Sequence, residues 1–238
     1  MESSHLARRA PRYIMASMDR SDWRLVPVWD APTRLFHWLV VVLIAACYVT
    51  FRLNWMDWHA WAGEAVLALL LFRLLWGLFG SDTARFSRFL ASPAAACRHL
   101  AHLHRREPDI GVGHNPAGGW MVIVMIGILL GQTLTGLYEN NDIADEGPFT
   151  ELVPAHVADL ITDLHRILWN ALLAAIALHL LAIVTYAVVK RHNLLHPMVT
   201  GHKRLPEHVP APRIANWRRA VVLLAVAAAI TGLMADWM

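Results

Sequence analysis

Long apolar runs separated by polar connections dominate the pattern of residues along the chain. Five runs approach or exceed the length of about 20 residues that a helix needs to cross a bilayer. The predicted spans run from about Thr33 to Leu53, Trp58 to Phe79, Gly118 to Tyr138, Asp163 to Val189 and Ala220 to Ala235. Because backbone groups in lipid must bond within their own segment, we expect an all-α integral membrane bundle.

The fourth predicted span carries two histidines, His165 and His179. Fourteen positions separate them. This spacing is almost four helical turns, so both side chains point to nearly the same side, about 21 Å apart along the axis. Ionisable groups are expensive within a membrane and usually face a protein interior or a cofactor. We therefore predict that this helix holds two haems, one near each face of the membrane.

The first two spans supply histidines at matching depths. The second and fourth spans run in the same direction and begin at His59 and His165, so these two residues should share the outer level. The first span runs the opposite way and begins near His37, which should share the inner level with His179. Two imidazoles on one haem leave no site for oxygen and suit electron transfer. Gly63, one turn after His59, would let a macrocycle lie close to the backbone.

Composition supports the membrane interpretation and narrows the chemistry. Of the 238 residues, 57% are hydrophobic and 16% are charged, which is more apolar than a typical soluble domain. The two cysteines, Cys47 and Cys97, form no Cys-x-x-Cys-His motif, so any haem is expected to be held without thioether bonds. The net charge of +3 is explained by basic loops, and no nucleic-acid partner is expected.

The distribution of basic residues predicts an orientation. The N-terminal tail, the connection 80–113 and the segment 190–219 are basic. The positive-inside rule places them in the cytoplasm, with five spans and a periplasmic C-terminus in a bacterial inner membrane. We divide the chain into a tail (1–30) that can lie on anionic membrane lipid, a four-helix dihaem domain (31–200), and a basic segment with the fifth span (201–238).

Several motifs are similar to those of a known family. They are Val28-Trp29-Asp30-Ala31-Pro32-Thr33-Arg34-Leu35-Phe36-His37-Trp38, Phe72-Arg73-Leu74-Leu75-Trp76-Gly77, Gly113-His114-Asn115-Pro116-Ala117-Gly118 and the helix with His165 and His179. From about Leu25 to Arg204 the chain resembles the bacterial cytochrome b561 and Ni-Fe hydrogenase b-type cytochrome superfamily. The resemblance implies a four-helix haem-binding bundle, to which some members add a fifth helix.

The resemblance also implies ligands and partners. It assigns His37, His59, His165 and His179 as the axial ligands of two b haems, the same set that the matching depths indicate. It implies electron exchange with the quinone pool, as ubiquinone or menaquinone, and often with a periplasmic redox subunit such as a c-type cytochrome. The fifth span and the long basic segment leave the subfamily open.

Other polar residues in or near the spans are secondary candidates. Guanidinium groups match carboxylate geometry, so arginines near a haem level can pair its propionates. The arginines considered for this role are Arg73, Arg166 and Arg34. Interfacial snorkelling is the alternative for Arg34. In the third span, Gln132, Thr133 and Thr135 are expected to bond neighbouring helices, with quinone contact as the alternative.

Two polar loops carry weaker signals. His99, His102 and His104 have loose metal-ligand spacing, but we interpret them as part of a solvated basic loop. The outer acidic loop, with Asp142, Asp145 and Glu146, either steers a basic partner electrostatically or is ordinary hydrated surface.

Three functions remain open. The favoured one is electron transfer between the quinone pool and a periplasmic redox partner. A stand-alone superoxide:quinone oxidoreductase would need no partner subunit. A haem-free metal transporter or structural subunit is less favoured, because transporter ligands should cluster at one depth. Whether the chain is an enzyme by itself, and whether it forms homo-oligomers, stays open at this point.

Overall fold

The computed structural model describes residues 23–106, 108–139 and 147–235. The expectations for the tail before residue 23 and for the acidic residues Asp142, Asp145 and Glu146 fall outside these ranges. Within them, five helices are long and apolar enough to cross a membrane. The predicted all-α membrane fold with five spans is therefore confirmed.

Five long helices and several short elements form the described chain. In chain order they are β1 (Trp23–Pro27), α1 (Ala31–Arg52), α2 (Met56–Phe79), α3 (Phe86–Phe89), α4 (Pro93–Ala101), α5 (Pro116–Gly136), a 3₁₀ turn (Thr150–Leu152), α6 (Ala155–Thr185) with a π-helical end (Tyr186–Lys190), α7 (Leu195–Thr200), β2 (His202–Pro206) and α8 (Trp217–Ala235).

Local sequence explains where α1 and α5 begin. The side chain of Asp30 accepts a hydrogen bond from the Thr33 backbone N–H at 2.7 Å, and Asn115 caps the Gly118 N–H at 2.8 Å. A proline follows each cap in the first turn, where its missing N–H leaves no helical bond unmade. Asp30 also accepts from Trp76 Nε1 at 3.0 Å, which ties the start of α1 to the end of α2.

The core of the bundle is apolar and shared by four spans. Val40 of α1, Leu70 of α2, Leu129 of α5 and Leu172 of α6 are buried in one cluster. The fifth span, α8, packs instead against the far part of α2, where Ala220 and Ala227 meet Phe72 and Trp76. The small alanines let the two helices approach closely. The bundle is thus a four-helix unit with α8 added to α2.

One end of the bundle carries a polar cap, which we define as β1, β2, α3, α4 and α7 with their connections. β1 and β2 pair antiparallel, with Trp23 opposite Pro206 and Pro27 opposite His202. Residues 23–30 were assigned to the N-terminal tail, and in the structure Val26 and Val28 of this segment are buried against Leu205. At the opposite end, α1 and α2 are joined by the short turn 53–55. We call these the cap end and the turn end.

Candidate functional site

The histidine pair at the turn end consists of His59 on α2 and His165 on α6. The two residues lie near each other at this end of the bundle. At the cap end, His37 on α1 and His179 on α6 face each other. The two pairs lie on one side of the long helix α6, at two separate depths.

His59 is oriented by the backbone of the neighbouring helix. Its Nδ1 lies 2.9 Å from the carbonyl oxygen of Cys47. A carbonyl oxygen can only accept a hydrogen bond, so Nδ1 of His59 is the protonated ring nitrogen and the donor. Nε2 is then unprotonated, with its lone pair free to bind a metal. A hydrogen bond of this kind determines which ring nitrogen of a histidine binds a metal. His59 is therefore prepared to ligate through Nε2.

His165 is oriented by two side chains of α5. Thr135 Oγ1 lies 2.7 Å from the carbonyl of Gly131 and 3.1 Å from His165 Nδ1. A hydroxyl has one proton, and Thr135 donates it in the hydrogen bond to the Gly131 carbonyl. Its oxygen must therefore accept the second hydrogen bond from the Nδ1–H of His165. Nε2 of His165 is then bare, and the amide Nε2 of Gln132 donates to it at 2.9 Å. Both histidines at the turn end therefore have an unprotonated Nε2 that could bind a metal.

Glycines line the turn-end pair. A Cβ at Gly136 would lie 3.2 Å from His165 Cε1, so a side chain there would press on the ring. A Cβ at Gly63 would meet nothing within 4 Å. Gly63 therefore borders open space one turn from His59. The space lies where the position of Gly63 in the sequence predicts a macrocycle.

The cap-end pair has the spacing of two ligands on one metal. The ring centroids of His37 and His179 are 6.4 Å apart. Metal–imidazole bonds are about 2.0–2.1 Å long, so two rings on opposite sides of one metal have centroids about 6 Å apart. In addition, Nδ1 of His37 is buried with no hydrogen-bond partner among the described residues. The residues present at this end fit a bis-imidazole haem.

An aromatic stack lies between the two levels. The rings of Tyr48 on α1 and Trp169 on α6 are 5.8 Å apart and nearly parallel, at 10°. Tyr48 follows His37 by three turns, about 16 Å, on the same helix face. Trp169 follows His165 by about one turn, or 6 Å. The stack therefore lies between the levels of the two pairs, nearer to the turn end, with the Tyr48 side chain half exposed.

The arginines considered for haem propionates have different surroundings. Arg73 is 2% exposed, donates to the Ala84 carbonyl at 3.2 Å and lies over the Phe86 ring. Arg34 donates to the Val199 carbonyl, and its Nε is buried without a partner among the described residues. Arg166 pairs with Asp163 on an exposed face of α6. The propionate role stays a prediction for all three.

A small cavity of about 150 Å³ lies in the polar cap. Two of its lining residues, Thr83 and His114, have buried polar atoms (Oγ1 and Nδ1) with no hydrogen-bond partner among the described residues. The His114 ring packs against Trp29 and Phe89. Burial, together with the positive charge of Arg73 and the proximity of His179, lowers the pKa of His114 to about 3. His114 is therefore a neutral donor or acceptor.

Several secondary predictions are resolved by the contacts. Gln132 and Thr135 bond a neighbouring helix, as expected, and their partner is His165. Thr133 instead bonds the backbone of its own helix. His99 contacts Tyr186 at the π-helical end of α6. No group of three His, Cys, Asp or Glu side chains suited to a metal is found in the part of the chain that the structure describes.

Sequence reasoning did not assign a site role to three of these features. The Cys47 carbonyl is a backbone atom, and its role follows from the fold rather than from residue type. Gly136 has no side chain that could indicate a contact with a histidine. His114 lies in the quoted motif Gly113-His114-Asn115-Pro116-Ala117-Gly118, and that motif was the available signal for it.

Comparisons with known proteins place the chain in a family and identify one relative. The family model for prokaryotic cytochrome b561 matches residues 28–201, which include the four spans of the central bundle but not α8. A probable Ni/Fe-hydrogenase B-type cytochrome subunit from Bradyrhizobium diazoefficiens is 24% identical over 214 residues, covering 75% of this chain and 86% of that protein. No solved structure matches the chain.

Proposed function

The chain belongs to the prokaryotic cytochrome b561 family and is a membrane b-type cytochrome of electron transfer, and from that premise we propose that it carries two b haems and passes electrons between the quinone pool and a redox partner. His37 and His179 would hold one haem, and His59 and His165 the other. The observation that carries this proposal is the 6.4 Å spacing of the cap-end rings.

The residues of the chain supply placement and an apolar setting. The haems supply one-electron chemistry at iron when bound. His59 and His165 present bare Nε2 atoms whose opposite ring nitrogens are anchored. The core cluster around Leu70 and Leu172 keeps water from the space between the two levels. Net transfer of an electron across the bilayer works with or against about 2.3 kcal/mol per 100 mV of membrane potential.

We place the quinone headgroup at the cavity in the polar cap. A quinone carbonyl accepts hydrogen bonds and a quinol hydroxyl donates them, and neutral His114 can serve either form through its unpartnered Nδ1. The Thr83 hydroxyl is a second group of the same kind. His114 also lies near enough to His179 to interact electrostatically. A headgroup in this cavity would therefore be close to the cap-end haem.

The partner would dock at the turn end. The family relative is named as a subunit of a hydrogenase, which supports an assembly with another redox protein. Trp55, Trp58 and Trp61 are more than half exposed beside His59, and such aromatic side chains suit either the lipid interface or a docked subunit. The connections of the cap end are basic, which favours the cytoplasmic side for that end. The turn end would then face the periplasm.

The experiment is an anaerobic titration of the purified protein with a soluble quinol, followed by dithionite. We expect b-type absorption bands, with one haem reduced by quinol before the other. Replacing Thr83 by Val should slow reduction by quinol while leaving reduction by dithionite unchanged. A protein whose haems respond to dithionite but not to any quinol would contradict the quinone assignment.

A further inference from the structure

Helix α5 supplies no histidine, yet three of its residues contact the ring of His165. Thr135 contacts Nδ1, Gln132 contacts Nε2, and Gly136 lies beside Cε1. Helix α5 therefore contacts both ring nitrogens of one ligand of the turn-end haem. No residue of α5 has a corresponding contact with His37 or His179 among the hydrogen bonds of the described residues.

The contacts on the two ring nitrogens differ in kind. The amide of Gln132 donates to Nε2, which is the place where a metal would bind, so it must leave when the haem enters. Its own Oε1 is buried with no partner among the described residues, so little holds the amide in this position. The Thr135 hydroxyl is on the opposite nitrogen and can stay there after a metal binds. Thr135 is thus the lasting contact.

We propose that Thr135 is a positioning residue that sets the reduction potential of the turn-end haem by accepting the Nδ1–H hydrogen bond of His165. The inference rests on the proposed bis-histidine haem sites. An acceptor on the far nitrogen raises the basicity of a ligating imidazole and fixes its orientation. A more basic imidazole stabilises the ferric ion more than the ferrous ion, so this bond lowers the potential of the turn-end haem.

A neighbouring threonine provides a matched control. Thr133 and Thr135 lie on the same helix and are both partly buried, and each hydroxyl bonds a carbonyl four residues earlier. Thr135 also reaches a histidine, whereas the Thr133 hydroxyl bonds two carbonyls of its own helix, those of Leu129 and Leu130. Replacing either by Val keeps the shape of the side chain and removes one hydroxyl. The pair therefore separates loss of the His165 contact from loss of a hydroxyl as such.

The test is a potentiometric titration of Thr135→Val, Thr135→Ser and Thr133→Val, with electron paramagnetic resonance of each ferric haem. A His59→Ala variant, which keeps the cap-end haem, identifies which potential belongs to which site. In Thr135→Val we expect the turn-end equilibrium to move about tenfold toward the ferrous form, which is about 59 mV for one electron. The cap-end haem should not change. Thr135→Ser should restore the native potential and spectrum, and Thr133→Val should match the native protein.

Each other outcome also decides the question. Loss of the turn-end haem alone from Thr135→Val, with rescue by Thr135→Ser, supports the positioning role. Equal shifts in Thr135→Val and Thr133→Val, a shift of both haems, loss of both haems, or failure of Ser to rescue would overturn it. Wild-type protein that purifies without haem would refute the proposed function itself. Two intact haems with an unresponsive Thr135→Val would refute this inference alone.

Discussion

The turn-end and cap-end histidine pairs share one helix but are held by different forces. At the turn end, both rings are anchored through Nδ1, one by a carbonyl and one by a hydroxyl. At the cap end, the rings already face each other at 6.4 Å, but Nδ1 of His37 has no partner among the described residues. The buried cation Arg73 also lies near this end. Hydrogen bonds orient the rings at one site, whereas a buried cation lies near the other.

The largest expected effect comes from removing a ligand. We expect His165→Ala to lose the turn-end haem and His179→Ala to lose the cap-end haem, each leaving one haem per chain. His165→Ala removes one axial ligand from the turn-end site and leaves the cap-end site intact, and His179→Ala does the reverse. His156→Ala, an exposed position on the same helix, should keep both. Haem content per purified protein measures this, and loss of both haems from a folded variant would refute two independent sites.

A larger side chain at Gly63 should affect the turn end alone. A Cβ at Gly63 meets nothing within 4 Å in the protein chain, and the leucine side chain of Gly63→Leu would extend from there toward the space that the macrocycle would occupy. We expect loss of most of the turn-end haem and retention of the cap-end haem. Gly232→Leu, which also enters open space, is the control. Normal content of both haems in Gly63→Leu would place the macrocycle elsewhere.

Removing the buried charge should affect the cap end alone. A unit charge about 10 Å from a redox centre contributes about 1.7 kcal/mol at an effective dielectric constant of about 20. We therefore expect Arg73→Gln to lower the cap-end potential, because a nearby cation favours the ferrous form. Arg73→Lys retains the charge and should shift the cap-end potential less than Arg73→Gln does. A potentiometric titration checks this, and equal shifts in both variants would point to packing instead of charge.

The last expected effect is a pH dependence of stability at the cap end. Burial and Arg73 lower the folded-state pKa of His114 to about 3, below the ordinary value of about 6.5. The folded protein then binds fewer protons than the unfolded chain, so stability falls as the pH drops below about 6.5, by up to about 1.4 kcal/mol per pH unit. In thermal unfolding measurements, His114→Phe should lose less stability on acidification than the wild-type protein does. Identical acid profiles would contradict this.

The sequence predicted the spans because hydropathy reports burial in lipid, and it predicted the histidine depths because helical rise is regular. It placed the start of the fourth span near Asp163, whereas α6 begins at Ala155. Hydropathy marks where a helix enters lipid. The first turns of α6, which contain Asp159 and Asp163, lie before that point, where carboxylates are tolerated.

Long-range pairing was not predictable from local pattern. The ladder of β1 and β2 joins segments that are far apart in the chain, and neither segment has the alternation of a strand that stands alone. The anchors of His59 and His165 were missed for a related reason. The Cys47 carbonyl is a backbone atom, so no residue type marks it in the sequence. The direction of the Thr135 hydrogen bond to His165 follows only when the position of the Gly131 carbonyl is also known.

The most direct measurement of the central claim is the haem content of the purified wild-type protein, with the spin state of each ferric haem by electron paramagnetic resonance. Two b haems per chain, both low-spin with two imidazole ligands, are the predicted result. One haem per chain, a high-spin signal from a site with an open axial position, or no haem at all would contradict the account.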